Sequence, residues 1–251
     1  MIGTRSPMSD AEPRGAIGRR SRSFVDLHVH TSASFDSLAA PRSVVRAAAT
    51  RGLTHLAITD HDRLEGALEA REVAAREAPG LTVIVGQEIR TRHGDLIGVF
   101  LEEPIRSGLD PLEAIEAVRA QGGLVGIPHP FDRFRGSLLS SGRMDSVAPL
   151  VDWVESHNAR IMVGDGNHRA AEFAMEKGLP GVAVSDAHSV LEIGVAYIAL
   201  DGDLSTAEGL RAALPTAELV TGRATVFVRA VTPIAKLVQR IRGNGRMASI
   251  P

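Results

Sequence analysis

Short apolar runs rich in Val, Leu and Ile alternate along this chain with longer segments whose apolar residues recur at helical spacing, and that alternation leaves few architectures open. Phe24–His28, Thr54–Thr59, Leu81–Val85, Leu96–Leu101, Leu124–Ile127, Val151–Glu155, Gly181–Val184 and Val195–Leu200 read as strands. Between them Arg42–Arg51, Glu65–Glu77, Asp110–Gln121 and Asn167–Lys177 read as helices, followed later by Thr206–Ala213 and Ile234–Ile241. Pro41 and Pro111 suit first helical positions, Asp110 suits an N-cap, and Pro79-Gly80 and Gly122-Gly123 suit helix ends. A series of strand–helix units implies parallel strands with helices outside, as a closed or nearly closed barrel or an open doubly wound sheet. No Gly-rich phosphate loop of either common kind follows the first strand.

With 251 residues, 44% hydrophobic and 23% charged, the chain can bury one sizeable core. Aromatic residues are only 4%, so that core must be aliphatic. A formal net charge of -2 gives no broad attraction to nucleic acid or to a membrane. There is no cysteine, so any metal must be held by nitrogen and oxygen. The arginine-bearing start has no hydrophobic stretch and reads as a disordered tail, and a cytoplasmic location is the expectation. Three segments are expected: a tail over 1–22, a catalytic domain over 23–229 and a C-terminal helix or tail over 230–251. In the last, Val231, Ile234, Leu237, Val238 and Ile241 follow helical spacing and would form its docking face.

Polar residues gather where strands end, which is where functional groups collect in parallel β/α folds. They are Asp26, His28 and His30 with Asp36; Asp60 and His61; Glu88; His129 between two prolines; and Asp186 with His188. Taken singly, each has an ordinary explanation as a helix cap, turn residue or loop charge. Together, five clusters one strand apart point to a shared metal site. His55, His157 and His168 read as packing or surface residues, and Asn158 stands where it can reach the site.

These elements (DLHVHT with Asp36, the TDH of 59–61, Glu88, the HP of 129–130 and the SDAH of 185–188) resemble the PHP (polymerase and histidinol phosphatase) family, in the family's order over 24–200. The resemblance implies a distorted (β/α)7 TIM-like barrel holding three divalent metal ions, commonly manganese, zinc or iron, and hydrolysis of phosphate esters by a metal-bridging hydroxide. Carried over by position, His28, His30 and Asp186 hold one ion. Glu88 bridges to a second, which His129 also binds, and Asp36, His61 and His188 hold the third. Asp60, His61 and Asp186 are expected at the reacting centre, with Asp26 and Asp60 orienting ligand imidazoles from behind. Where the family often has a His after the bridging Glu, this chain has Asp95, the preferred ninth ligand; His93 is the alternative. Arg133, Arg135 and Asn158 are expected to bind substrate.

The expected substrate is a small nucleotide or phosphorylated metabolite cleaved as a monoester. The only nearby aromatics in sequence, Phe35, Phe131 and Phe134, argue against a long nucleic-acid track. An exonuclease or phosphodiesterase on short nucleic-acid ends, a C–N hydrolase and a non-catalytic metal-binding module are the competing readings. Oligomeric state is open.

Overall fold

The computed structural model describes residues 22–132, 135, 138, 142–161, 163–225 and 231–245. Nine strands form one mixed sheet in the order β7-β6-β5-β4-β3-β2-β1-β8-β9. They are β1 (Arg22–Val29), β2 (His55–Ile58), β3 (Thr82–Thr91), β4 (Gly94–Val99), β5 (Leu124–Ile127), β6 (Trp153–Asn158), β7 (Gly181–Val184), β8 (Tyr197–Asp201) and β9 (Glu218–Val220). The helices are α1 (Pro41–Thr50), α2 (Glu65–Glu77), α3 (Pro111–Ala120), α4 (Met144–Val147), α5 (Gly166–Lys177), α6 (Ala207–Ala213) and α7 (Val231–Ile241). The α3 start is a full capping box: Leu112 N–H donates to the Asp110 side chain, and Asp110 N–H donates to Glu113.

Pairing is parallel for β1–β2, β2–β3, β5–β6 and β6–β7. It is antiparallel for β3–β4, β4–β5, β1–β8 and β8–β9, so the expected run of parallel units is interrupted. The interruption has a local cause. Thr91 pairs with Gly94 across a two-residue turn, too short for the crossover that parallel pairing requires. The sheet curls until its ends nearly meet. Past β7, Ala187 bridges Val29, and its carbonyl accepts from His30 N–H at 2.8 Å. This is the distorted TIM-like barrel. β9 has no counterpart in the sequence reading; its three residues are all exposed, so they carry no burial pattern to detect.

Two apolar clusters hold the barrel. One draws on β1 to β8, with Leu27, Ile84, Ile97, Leu124, Trp153, Val184 and Ile198, and fills the space the sheet encloses. The other lies between the sheet and helices α1, α2, α3 and α5. Trp153, fully buried on β6, lies over Gly126 of β5, its register partner. Any Cβ at Gly126 would overlap the indole.

Helix α7 corrects one expectation. Ile234, Leu237 and Ile241 are 59, 61 and 77% exposed, so these three apolar side chains face outward, while Val238 is half-buried. The buried face carries Ala235 and Gln239. The 1–21 tail lies outside the described residues.

Gly126→Ala should destabilise the fold by about 1–3 kcal/mol or more, because the indole has no room to yield. Urea unfolding followed by Trp153 fluorescence measures it; an unchanged midpoint would contradict the packing described.

Candidate metal centre

Glu88 is the middle of the site, and β3 carries it there. The strand runs on to Thr91 rather than stopping at Val85, so Glu88 lies inside a strand, not just past one. Its N–H donates to the carbonyls of Thr59 and Asp60, and its carbonyl accepts from Asp62 N–H, which ties it to the end of β2. Four imidazoles surround its carboxylate. Oε1 lies 3.0 Å from His129 Nε2; Oε2 lies 3.2, 3.3 and 3.4 Å from His28 Nε2, His30 Nε2 and His61 Nδ1. Burial opposes its charge, but His61 and His28 outweigh burial and hold it well below the usual carboxylate range.

Two groups of side chains offer ligand atoms that all lie within 4.8 Å of one another: His28, His30 and Asp186, and His30, Asp36, His61 and His188. These are the first and third expected sets, except that His30 belongs to both. His28 Nε2 and His30 Nε2 are 2.9 Å apart, and each is 3.5–3.7 Å from Asp186 Oδ1. Two ligands with bonds of about 2.1 Å to one ion stand roughly 3.0–3.4 Å apart, so the spacing fits a shared cation.

The protonation pattern fits too. His188 Nδ1 donates to the Asp186 carbonyl at 2.9 Å, leaving Nε2 facing Asp36 Oδ2 at 3.2 Å. Burial, helped by the Arg160 cation, depresses His188 to about 3, so the ring is neutral. A bare ring nitrogen then faces a carboxylate oxygen, an arrangement a cation between them would satisfy. Asp186 Oδ1 is buried with no hydrogen-bond partner among the described residues, a second acceptor waiting for positive charge.

Local backbone geometry aims these groups. His129 and Asp186 have φ of 28° and 52°, in the left-handed region that costs an L-residue of order 1–3 kcal/mol. Glu155 helps hold the first, accepting His129 N–H at 2.8 Å. The same carboxylate accepts from His28 Nδ1 at 2.6 Å and from Asn158 Nδ2 at 2.9 Å. Glu155 was missed by the sequence reading, which took it as an ordinary strand residue. The available signal was a carboxylate at the end of an apolar run with no obvious partner. Arg160 was also missed. It is 6% exposed, donates to Thr232 Oγ1 at 2.8 Å, and its Nη1 is ion-paired with buried Glu192 at 3.8 Å.

Several expected roles change. Asp26 sends its carboxylate to backbone N–H groups, Ser185 at 3.1 Å and Gly194 and His28 at 3.4 Å, rather than to an imidazole. The β1 register shifts between Asp26 and Val29, so strand alternation no longer aligns Asp26 with the histidines. Asp60 accepts from both Thr31 N–H and Thr31 Oγ1 at 2.6 Å. Both oxygens are engaged, so it anchors the β1–α1 loop and is not placed for proton transfer. Gly66 makes room for that pair, since a Cβ there would overlap both partners.

Asn158 reaches the centre: Nδ2 donates to Glu155 and to Asp186 Oδ2 at 3.0 Å, and Oδ1 accepts from Arg160 N–H. Arg135 reaches the centre, paired with Asp186 and, at 2.7 Å, with Asp132. Arg133 and Phe134 lie outside the described residues. Phe131 turns to Phe173 and Arg169, while Phe35 meets His61 with ring centroids 4.8 Å apart. His93 sits in the β3–β4 turn, 3.7 Å from Asp110. Asp95, 4% exposed, pairs across the ladder with Arg90, which puts it on the Glu88 face, and its charge raises the pKa of His61. His157 lies on β6, bonded to the Gly222 carbonyl, rather than in a loop or on a helix; His168 is on the surface of α5.

Comparison with known proteins agrees with the geometry. A family model described as PHP domain matches residues 26–140, and one described as PHP-associated matches 164–219. An uncharacterized protein of Methanocaldococcus jannaschii is 34% identical over 177 residues, 69% of each chain. An error-prone DNA polymerase of Mycobacterium tuberculosis is 28% identical over 86% of this chain, which spans only 24% of the polymerase. A Bacteroides vulgatus two-domain protein containing a PHP-like metal-dependent phosphoesterase shares the fold, with TM-score 0.66, 18% identity and coverage of 85% of this chain and 70% of that one. No helix among the described residues is long and apolar enough to cross a membrane. With both family models matched along the chain and their histidines and carboxylates gathered around Glu88, the protein belongs to the PHP family of metal-dependent phosphoesterases.

Proposed function

We propose that the protein hydrolyses phosphate monoesters of small nucleotides or metabolites at a centre of three divalent cations. The observation that carries this reading is the pair of ligand clusters joined at His30 around Glu88, with a buried arginine, Arg160, and a half-buried one, Arg135, beside them. His28, His30 and Asp186 would hold one ion, Asp36, His61 and His188 another, and Glu88 and His129 a third, with Asp95 rather than His93 completing the set. Nitrogen and carboxylate donors without thiolate suit Mn²⁺, with zinc and iron also accepted. Bound cations would offset phosphate charge and bring the pKa of water near neutrality.

The protein's own groups do the rest. Glu155 and the Asp186 carbonyl orient the rings of His28 and His188. Arg160 and Arg135 supply positive charge for phosphate oxygens, Arg135 by exchanging its carboxylate partners for substrate. His61 and Asp186 stand at the reacting centre. Phe35, between His61 and the Lys236 ammonium, is a single ring at the site, too little aromatic surface for a tract of stacked bases. A second reading, hydrolysis from nucleic-acid ends, draws on a relative named 5'-3' exoribonuclease from Haemophilus influenzae, 32% identical over 43% of this chain and 42% of that one.

Purified protein with Mn²⁺ should release inorganic phosphate from a panel of nucleotides, 3′,5′-bisphosphates and phosphorylated metabolites, including histidinol phosphate. Release of nucleotides from short RNA instead would favour the second reading, and inactivity on both would sink the proposal. His28→Ala and His188→Ala should each lose bound metal and activity, and so should Asp95→Ala, whereas His93→Ala should keep both. Glu155→Gln should weaken Mn²⁺ binding roughly 10–100-fold, read by calorimetry, since an amide keeps one acceptor oxygen and cannot accept from both His28 Nδ1 and the His129 N–H.

Burial opposes protonation of His61, but Glu88 and Asp36 outweigh it and lift the ring to about 9 in the metal-free protein. A cation must displace that proton. Mn²⁺ affinity should therefore rise between about pH 6 and 9, with proton release measurable by calorimetry in buffers of different ionisation enthalpy. A flat profile without proton release would contradict the assignment.

A further inference from the structure

The loop between β1 and α1 carries Asp36, and its N–H groups turn inward: Thr31 to Asp60, Ser32 to the Ala39 carbonyl and Ser34 to the Thr31 carbonyl. Its carbonyls turn the other way. Among the described residues, no backbone N–H reaches the carbonyls of Ser32, Ala33, Ser34 or Ser37. Their donors come from the far end of the chain. Gln239 Nε2 lies 2.7, 3.0 and 2.7 Å from the oxygens of Ser32, Ser34 and Ser37. Asn244 Nδ2, just past α7, donates to Ser32 and Ala33 at 3.2 Å.

Gln239 is 2% exposed, while Ile234, Leu237 and Ile241 of the same helix face away. On its docking face α7 makes its Gln239 contacts to one loop. Further along that face Thr232 accepts from Arg160, and the Lys236 ammonium sits 5.4 Å from the centroid of the Phe35 ring. Within the loop, Ser34 Oγ donates to Asp36 Oδ1 at 2.7 Å and Ser37 Oγ donates to the His188 carbonyl at 3.0 Å. Gln239 thus holds the backbone of both serines that set Asp36 against His188 and His61.

We infer that α7 is a clasp for the Asp36 loop and that Gln239 is a positioning residue for the cation site formed by Asp36, His61 and His188. The inference rests on the metal-centre reading above. Gln239 touches neither ligand atoms nor substrate; it acts by fixing the loop conformation in which the carboxylate meets two imidazoles. A loop freed to sample other conformations presents a formed site only part of the time, and its affinity falls by that fraction.

The test is Mn²⁺ titration of the full chain carrying Gln239→Met, which keeps the side-chain length and removes the donor. One class of ion should bind roughly 10–100-fold more weakly, while the ions at the other ligands bind as before. Amide hydrogen exchange over 32–37 should rise in the metal-free variant. A helix that merely stabilises the fold would lower Tm and leave every ion affinity at the parent value, and that result overturns the inference. So does loosened exchange without a change in affinity. If Gln239→Met does not fold, Asn244→Ala is read in the same way: selective weakening of one ion class supports the clasp, and unchanged binding overturns it. An unmodified protein that binds no Mn²⁺ would instead remove the metal-centre reading, an outcome distinct from failure of the clasp.

Discussion

The structure depends on one buried carboxylate. Glu88 is 2% exposed and would be costly to bury alone, yet four imidazoles converge on it and hold it ionised. The four imidazoles arrive from three parts of the chain: β1 and the residue just past it for His28 and His30, the end of β2 for His61, and the turn after β5 for His129. The barrel must curl far enough for all of them to meet. In the metal-free protein the carboxylates raise His28, His30 and His61 above their usual range, and these protonated rings compensate the carboxylate charge; in the proposed state, cations take that place.

The cost of this convergence shows in the backbone. His129 and Asp186 adopt left-handed conformations, and both leave strand ends abruptly to point their side chains at the centre. Glu155 offsets part of that strain with one carboxylate that holds a backbone N–H, an imidazole and an amide together. Asp26 and Asp60 do the corresponding work for the chain beyond β7 and for the β1–α1 loop. Buried carboxylates in this protein thus serve two purposes, some facing the cation centre and others pinning the loops that aim those ligands.

Much of the fold was legible because its signals are local. α2, β5 and β7 stand where periodicity and turn residues put them, since a helix face or a short apolar run is written in consecutive residues. The ligand clusters were legible for a related reason: each lies within a few residues of a strand end. The misreadings share the opposite property. That the Asn158 amide donates to Glu155 and Asp186 could not be read from its place on the strand. The apolar stripe of α7 looked like a docking face because periodicity identifies an apolar face without showing what lies opposite. β3 looked short because its second half breaks the apolar run with Gly86, Gln87, Glu88, Arg90 and Thr91.

By itself the sequence determined the alternating elements, the residue types of the centre and the family to which they belong, because these depend on spacing along the chain. Only the tertiary structure decided that His30 lies in both groups of candidate ligands, that Asp95 shares the Glu88 face of the sheet while His93 pairs with Asp110, and that Glu155 and Gln239 hydrogen-bond segments beside the site. Those assignments rest on which distant segments meet when the sheet curls. A hydrogen bond across more than 200 residues, such as that from Gln239 to the Ser32 carbonyl, leaves no pattern in consecutive positions.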